Sequence, residues 1–592
     1  MLITTMREWY GVRQALADLR ADERFAIDTE TTGLRPWGDT VLRGISLYLR
    51  GETYYVPLTH PGSWNMPYWD GIKDGIASCK AMPILHNANY DRAILERAGI
   101  MLPAHYRDTQ ILAWLEDENR PKGLKKLGEQ LFGISAAEEQ KALKLMMRGE
   151  SKTENYATLR RQGLSVADAK AQSQSTKKTW ADLTAEEIAP YAEQDARLTY
   201  DLYDHLLADN EYGVVEPAVQ RMHDLQDVVY RMVRRGIQID PLTVAHYRSK
   251  AIWEAEQISK QFDINLDSPK QIAKLVYQDW GLKITERTEK GEPSTSRMAL
   301  EGMAGQHAGL DLILAYRRWV KAVSTYYDPF LEAMDEAARI HPSVNVVGTV
   351  TGRFSYSDPN LQTIPRDGTI SGVKDCFVAR PGKILVSYDL KQAELRFMAS
   401  LSGETGLISA LAMGRDLYAE VAEAIGTTRQ IGKSLVLSWP YGVGPVKFAK
   451  SAGITAKLAK EIINGFESAY PNLSSTMSKL SMHAECYGRL PLIGPGHFRR
   501  FTGPTLMWPI PGYTALNAAC QNGVAHVMGD VMVHGEAEWR DLDADLVLQV
   551  HDSLVLEVVP GTEELLLATL QRVLDEVNPI SMPLIWEAKV GV

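Results

Sequence analysis

The chain has 592 residues, with 64 Lys and Arg against 74 Asp and Glu, a net charge of −10, and 45% hydrophobic and 23% charged residues. That length exceeds what one hydrophobic core organises and predicts about three or four domains of an ordinary soluble protein. The acidic balance excludes a generally basic coat, so any contact with nucleic acid has to come from local patches.

Cys79, Cys376, Cys486 and Cys520 are scattered without a CxxC pair, which excludes a zinc framework and points to a reducing compartment. No window approaches the ~18 uninterrupted apolar residues of a membrane span, and the start shows no basic region followed by an apolar run. The expected location is the cytoplasm, off the membrane.

In chain order, "RFAIDTETTGL" and "GISLYLRGETYYVPL" read as a meander of strands rich in β-branched and aromatic residues, and "MPILHNANYDRAILERAGI" as a strand, a turn and a helix. Residues 136–178 lack Trp and Phe and carry nine Lys and Arg against five Asp and Glu, which predicts a basic helical insert. Over 216–336, patterns such as "AVQRMHDLQDVVYRMVRRGI" and "DLILAYRRWVKAVSTYYDPFLEAM" predict long amphipathic helices, with Gly236 and Pro241 punctuating the first. Strand signals return after residue 341 and helices follow over 404–485. "DLVLQVHDSLVLEVV" predicts two alternating strands around a tight turn.

Two groups of carboxylates stand out. "DTET" sets Asp28 and Glu30 two apart at a strand end, so both point to one face of a sheet. Asp91 follows in "HNANYDRAIL", and Tyr191 and Asp195, four apart in "YAEQDARL", share a helix face. The second group begins in "ILVSYDLKQAELR", where an apolar run ends in Asp389 and Glu394 follows. A carboxylate at the end of a buried strand is costly unless it holds a metal ion or is hydrogen-bonded. In "RQIGKSLVLSWPYG", Arg429, Lys433, Leu437 and Tyr441 recur every four residues along one stripe of a helix, where the two basic groups suit a triphosphate. Pro440 should bend or end that helix just before Tyr441. "QVHDSLVLEV" predicts a hairpin with His551 and Asp552 at its tip, and an acid there can stand beside Asp389 across a sheet.

In their order and spacing, the D-x-E strand, the distant Asp and the Tyr-x-x-x-Asp helix resemble the proofreading 3′–5′ exonuclease family. "SYDLKQAELR", "RQIGKSLVLSWPYG" and "QVHDSLVLEV", supported by "TGRFSYSDPNLQTIP" and "LNAACQNG", resemble the motifs of family A (DNA polymerase I-like) DNA polymerases, and the compact length suggests a bacteriophage type. The resemblance covers nearly the whole chain. It implies an α/β multidomain fold: an RNase H-like 3′–5′ exonuclease domain at 1–210, containing the 136–178 insert, then a right-hand polymerase domain. Within the latter it implies a thumb at 211–340, a palm at 341–403 and 526–592, and fingers at 404–525. The start at the exonuclease strand leaves no room for an N-terminal 5′-nuclease domain.

The activity implied is DNA-directed extension of a primer 3′-hydroxyl with dNTPs during DNA replication, with 3′–5′ proofreading. On the resemblance, Asp28, Glu30, Asp91 and Asp195 hold two Mg²⁺ at the exonuclease site and Tyr191 orients the attacking water. Asp389 and Asp552 hold two more at the polymerase site; Mn²⁺ can substitute at either. Arg429 and Lys433 take the triphosphate, and Lys433 also protonates the leaving pyrophosphate. Leu437, Tyr441, Gln392 and Glu394 surround the nucleotide, with Glu394 excluding a ribose 2′-hydroxyl and Tyr441 stacking beside the template. Arg353, Asn517, Gln521 and His551 contact DNA, Arg353 and Gln521 through minor-groove acceptors shared by all base pairs and His551 at the primer terminus.

Three basic clusters are expected to grip the backbone: Arg231, Arg234 and Arg235; Arg317, Arg318 and Lys321; and Arg499 and Arg500. The chain departs from the family pattern at Leu437, where an aromatic is usual and an altered response to dideoxynucleotides follows, at Tyr418 for His, Tyr513 for Arg and Ser553 for Glu. The expected partners are primer–template DNA and dNTPs, and the expected state is a monomer. Two other classes are a 3′–5′ exonuclease whose C-terminal region binds DNA without polymerising, and a non-catalytic DNA-binding scaffold.

Overall fold

The computed structural model describes residues 1–61, 69–103, 105–133, 138–147, 178–208, 216–365, 370, 372–492, 498–501 and 510–592. Of the 136–178 insert, Glu138–Met146 is helical, as expected, and nearly all the rest lies outside the described residues. Among the described residues no helix is long and apolar enough to cross a membrane.

Five strands form the first sheet: β1 (Arg24–Thr31), β2 (Leu42–Leu49), β3 (Glu52–Pro57), β4 (Met82–Leu85) and β5 (Arg107–Asp108), in the order β3-β2-β1-β4-β5. The first three are the expected antiparallel meander, while β4 and β5 run parallel to β1. Parallel neighbours need a crossover, and the helix Ala88–Arg97 supplies it between β4 and β5. The two-residue period of β1 sends Phe25 and Ile27 to one face, against Trp9, Val12 and Leu16 of the helix Met6–Ala17. Ala26 goes to the other face, into a core with Leu198 and Leu202 of the helix Ala185–Ala208. Asp28 and Glu30 share the parity of Ala26 and so face that helix. A bulge between Glu30 and Thr31 ends the regular pairing with β2.

The middle of the chain is helical, as its periodicity predicts. Glu216–Arg235 ends at Gly236, whose φ of +66° suits glycine and where a Cβ would stand 2.7 Å from the His341 ring and 2.8 Å from the Ile340 carbonyl. Asp240 caps the next helix, Pro241–Ser259, which packs on Ala308–Ala322 over a small core containing Ile258, Ile272, Leu300 and Ile313. Three short antiparallel pairs complete the strands: β6 (Ile237–Gln238) with β7 (Arg339–Ile340), which joins distant parts of the chain, and the local pairs β8 (Ser343–Asn345) with β9 (Ser355–Ser357) and β11 (Arg489–Pro491) with β12 (Phe498–Arg500).

The second main sheet has the order β13-β14-β10-β15, every neighbour antiparallel, from β10 (Ile384–Leu390), β13 (Asp545–Val550), β14 (Ser553–Val558) and β15 (Trp586–Val590). The expected hairpin is there, but its alternation does not produce a half-wet strand: all six residues of β14 are buried. The Glu216–Arg235 helix packs on β13, and Glu563–Val577 packs on β15 and on the helix Gly512–Asp541. Between β10 and β13 the chain makes a helical excursion that includes Leu417–Ala424, Arg429–Ser438 and Pro471–Tyr487. It returns through Gly512–Asp541, 30 residues long, which runs unbroken across the boundary at 525/526, so no structural break marks that division.

Candidate active sites

The first carboxylate group assembles on the Ala26 face of β1. Asp28, Glu30 and Asp195 each bring a carboxylate oxygen within 4.8 Å of the others. Asp195 comes from the Ala185–Ala208 helix, one turn after Tyr191. Asp91, in the first turn of Ala88–Arg97, stands beside this trio without joining it, because its carboxylate accepts from the Thr29 hydroxyl at 2.5 Å and the Thr29 amide at 3.2 Å. It remains close enough for its charge to act on Glu30.

Burial dominates the electrostatics. It pushes Asp28 up to about 7 against the pull of Lys125, and raises Glu30 and Asp91, each also raised by the charge of Asp28. Burial and the charges of Glu30 and Asp28 hold the Tyr191 phenol well above its usual range, so it stays protonated at neutral pH. Three converging carboxylates, Asp28, Glu30 and Asp195, are a donor set suited to a hard divalent cation.

Sequence reasoning missed Lys125. It lies on the helix Leu124–Phe132, is 9% exposed, pairs with Asp195, and places its Nζ 4.4 Å from the Tyr191 ring centre. The one available signal was a lysine between Leu124 and Leu127 on a short amphipathic helix, which says nothing about a partner 70 positions away.

The second group forms at the β10 strand end. Asp389 pairs in register with Ser553, and the Leu390 amide donates to the Asp552 carbonyl at 2.9 Å, so the turn residue Asp552 sits beside Asp389. His551, at φ +53°, makes the turn. β10 is buried at Tyr388 and Leu390, but Asp389 between them is exposed, so it is not the interior carboxylate that the apolar run suggested. The surrounding walls still push it up to about 6, helped by the charges of Asp552 and Glu587. Asp552 is raised as well, by burial, with Arg353 opposing. Two neighbouring carboxylates at the strand end, one exposed and one partly buried, again fit a divalent cation.

Arg353, Glu394, Tyr441 and Gln521 are tied to one another. The Arg353 guanidinium pairs with Glu394 and reaches Asp552 at 3.3 Å; Glu394 accepts from the Tyr441 hydroxyl at 2.9 Å, which accepts from the Gln521 amide at 3.4 Å. Each role expected of these four on DNA or nucleotide therefore requires one of these bonds to be exchanged. Gln392, at φ +53°, starts the helix Ala393–Ser402 that carries Glu394.

Arg429, Lys433, Leu437 and Tyr441 all face solvent, forming the expected stripe. The Arg429–Ser438 helix gives way to a 3₁₀ turn, Trp439–Tyr441, at Pro440, as the proline predicts. Arg429 donates to Asp416 at 2.6 Å, and Arg429 and Lys433 each lie 5.8 Å from the Tyr418 ring centre. Asn517 and Gln521 share a face of Gly512–Asp541, where the Tyr513 ring lies against Gly442.

The basic clusters need correction. Arg231 pairs with Glu536, Arg234 with Glu96 and Arg235 with Asp545; Arg499 and Arg500 are buried on Glu118 at 2.8 and 2.9 Å. Arg499 and Arg500 are held inside the chain away from phosphate, while Arg231, Arg234 and Arg235 tie parts of the chain together through ion pairs nearer the surface. Arg317 donates to the Thr295 carbonyl, while Arg318 and Lys321 line an open cavity with Arg297.

Comparison with known proteins places both sites in context. The profile described as 3′-5′ exonuclease matches residues 5–210, and that of DNA polymerase family A matches residues 244–592. DNA polymerase I of Pseudomonas aeruginosa is 28% identical over 97% of this chain, which spans 64% of that protein's length. The DNA polymerase of Mycobacterium phage L5 is 28% identical over 91% of this chain and 87% of its own. The fold matches the POL domain of Pol1 from M. smegmatis, solved in complex with DNA primer-template and dNTP, with a TM-score of 0.78 and 21% identity over 100% of this chain and 98% of that one. With the polymerase profile matching more than half of its length behind a 3′–5′ exonuclease domain, the chain belongs to DNA polymerase family A.

Proposed function

We propose that the chain is a DNA-directed DNA polymerase that proofreads with a 3′–5′ exonuclease, acting in DNA replication as a cytoplasmic monomer on primer–template DNA and dNTPs. The observation that carries this is the presence, in one chain, of two separate carboxylate sites, Asp28, Glu30 and Asp195 in one and Asp389 and Asp552 in the other. The exonuclease unit is 1–210, the thumb 211–340, the palm 341–403 with 526–592, and the fingers 404–525.

At the polymerase site Asp389 and Asp552 would hold Mg²⁺ or Mn²⁺; when bound, the ions supply Lewis-acid activation and neutralise developing charge at both sites. The primer 3′-oxygen forms a bond to the α-phosphorus as the bond to pyrophosphate breaks. Lys433 gives the leaving pyrophosphate its proton, and Arg429, released from Asp416, holds the triphosphate by its fork. Glu394 closes the space a 2′-hydroxyl would take, Leu437, Gln392 and Tyr441 bound the nucleotide, and Arg353, Asn517, Gln521 and His551 hold the terminal pair. At the exonuclease site, Asp28, Glu30 and Asp195, with Asp91 beside them, would hold the ions, and the protonated Tyr191 hydroxyl orients the water that cleaves the terminal phosphodiester.

Extension of a labelled primer with Mg²⁺, with and without dNTPs, tests this in wild type, Asp389→Ala and Asp28→Ala. Wild type is expected to extend with dNTPs and degrade without them, and each variant to lose one activity only. Degradation alone, unchanged by Asp389→Ala, leaves an exonuclease whose C-terminal part only binds DNA.

A further inference from the structure

We propose that Lys125 is the resident counter-ion of the exonuclease acid cluster, and that a divalent cation binds there only by displacing the Lys125 ammonium from Asp195. The proposal rests on the exonuclease reading given above. Lys125 is delivered to the site by the helix Leu124–Phe132, which begins at Gly123, and its Nζ meets the Asp195 carboxylate. That carboxylate is also one of the three whose oxygens converge with those of Asp28 and Glu30 within 4.8 Å. The ammonium and a metal therefore compete for the same oxygens. Two cations sharing one buried carboxylate repel strongly, since little water is present to screen them.

The protein gives the ammonium a reason to be there and somewhere to go. Three carboxylates packed on one face of a sheet repel one another, and a single buried cation relieves part of that repulsion. Lysine carries its charge on a flexible four-carbon stem, so it can withdraw from Asp195 when a metal arrives. The Tyr191 ring, whose centre already lies 4.4 Å from Nζ, can go on holding the charge once Asp195 is given up to a metal. The empty site is thereby kept stable at the cost of metal affinity, and Lys125 acts as a positioning residue that sets how much Mg²⁺ the exonuclease needs.

Mn²⁺ binding to the full chain, read as loss of the free-ion electron paramagnetic resonance signal, tests this with Asp389→Asn present throughout to silence the second site. Lys125→Met is expected to bind Mn²⁺ at least tenfold more tightly than the lysine form and to melt earlier in EDTA, while Lys125→Arg keeps the weaker binding. Unchanged or weaker Mn²⁺ affinity in Lys125→Met overturns the proposal. Should that variant fail to fold, acetylation of the lysine form decides, followed on the Lys125 peptide by mass spectrometry. Mn²⁺ is expected to increase labelling, and no increase overturns the displacement. If Asp195→Asn removes no Mn²⁺ binding at all, the exonuclease site itself is misassigned, a failure separate from that of Lys125.

Discussion

A carboxyl gathered with others away from water favours its protonated form, and Asp28, pushed up to about 7, shows what this costs the folded chain. A pKa raised on folding adds stability below the unfolded value, and that contribution is lost as pH rises through the folded value. Above pH 7, ionised Asp28 therefore weighs against folding when no metal is bound. Asp28→Asn is expected to raise the stability of the metal-free chain at pH 8 by about 2–4 kcal/mol and to change little at pH 4. Thermal unfolding in EDTA at the two pH values checks this, and equal shifts at both would contradict it. The same reasoning explains why a functional acid is destabilising until its ligand arrives, and why Lys125 is useful in the interval.

Among the elements, the contact between Leu417–Ala424 and Arg429–Ser438 leaves no slack. A Cβ on Gly432 would stand 2.7 Å from the Tyr418 carbonyl oxygen and 3.1 Å from the Ala422 Cβ, so Gly432→Ala must push apart the helix that carries Arg429 and Lys433. Primer extension by that variant is expected to show a several-fold higher KM for dNTP with exonuclease rates unchanged; an unaltered KM would mean the stripe need not be held so close. A second contact ties β12 to the loop before Leu124–Phe132, where Glu118 takes both Arg499 and Arg500 in a buried setting. Glu118→Gln leaves two buried guanidinium groups without their anion and should cost about 3–5 kcal/mol, read as an earlier calorimetric transition. Such contacts explain what could be read in advance. Asp28, Glu30, Tyr191, Asp195, Asp389 and Asp552 were legible because local spacing on a strand, helix or hairpin fixes which way they point. The fates of Arg499, Arg500 and Lys125 were not, because their partners are 381, 382 and 70 positions away and no local pattern encodes them. Asp91 lies between these cases, on the right helix but turned to Thr29 by a hydrogen bond that spacing does not reveal.

Taken as a whole, the molecule sets its two acid sites in different surroundings, and this separates their response to pH. The exonuclease trio is packed between β1 and the Ala185–Ala208 helix, whereas Asp389 is exposed, with Asp552 and Glu587 as its neighbouring acids. Burial is deeper in the first and pushes Asp28 up to about 7 against the pull of Lys125, whereas lighter burial with the charges of Asp552 and Glu587 pushes Asp389 up to about 6. Each site must ionise before it can take a cation, so protons and metal compete at both, and protons compete better at the first. As pH falls from 8 to 6, Asp28 therefore loses its charge ahead of Asp389. With Mg²⁺ kept limiting, acidification from pH 8 to 6 is expected to lower the ratio of degradation to extension several-fold. Saturating Mg²⁺ should remove most of the difference, because metal binding pulls both carboxyls into their ionised form. Initial rates on one labelled primer–template, with and without dNTPs across that range, measure the ratio directly. A ratio that rises on acidification would mean that the Lys125 charge outweighs burial at Asp28, and the order of the two sites would have to be reversed.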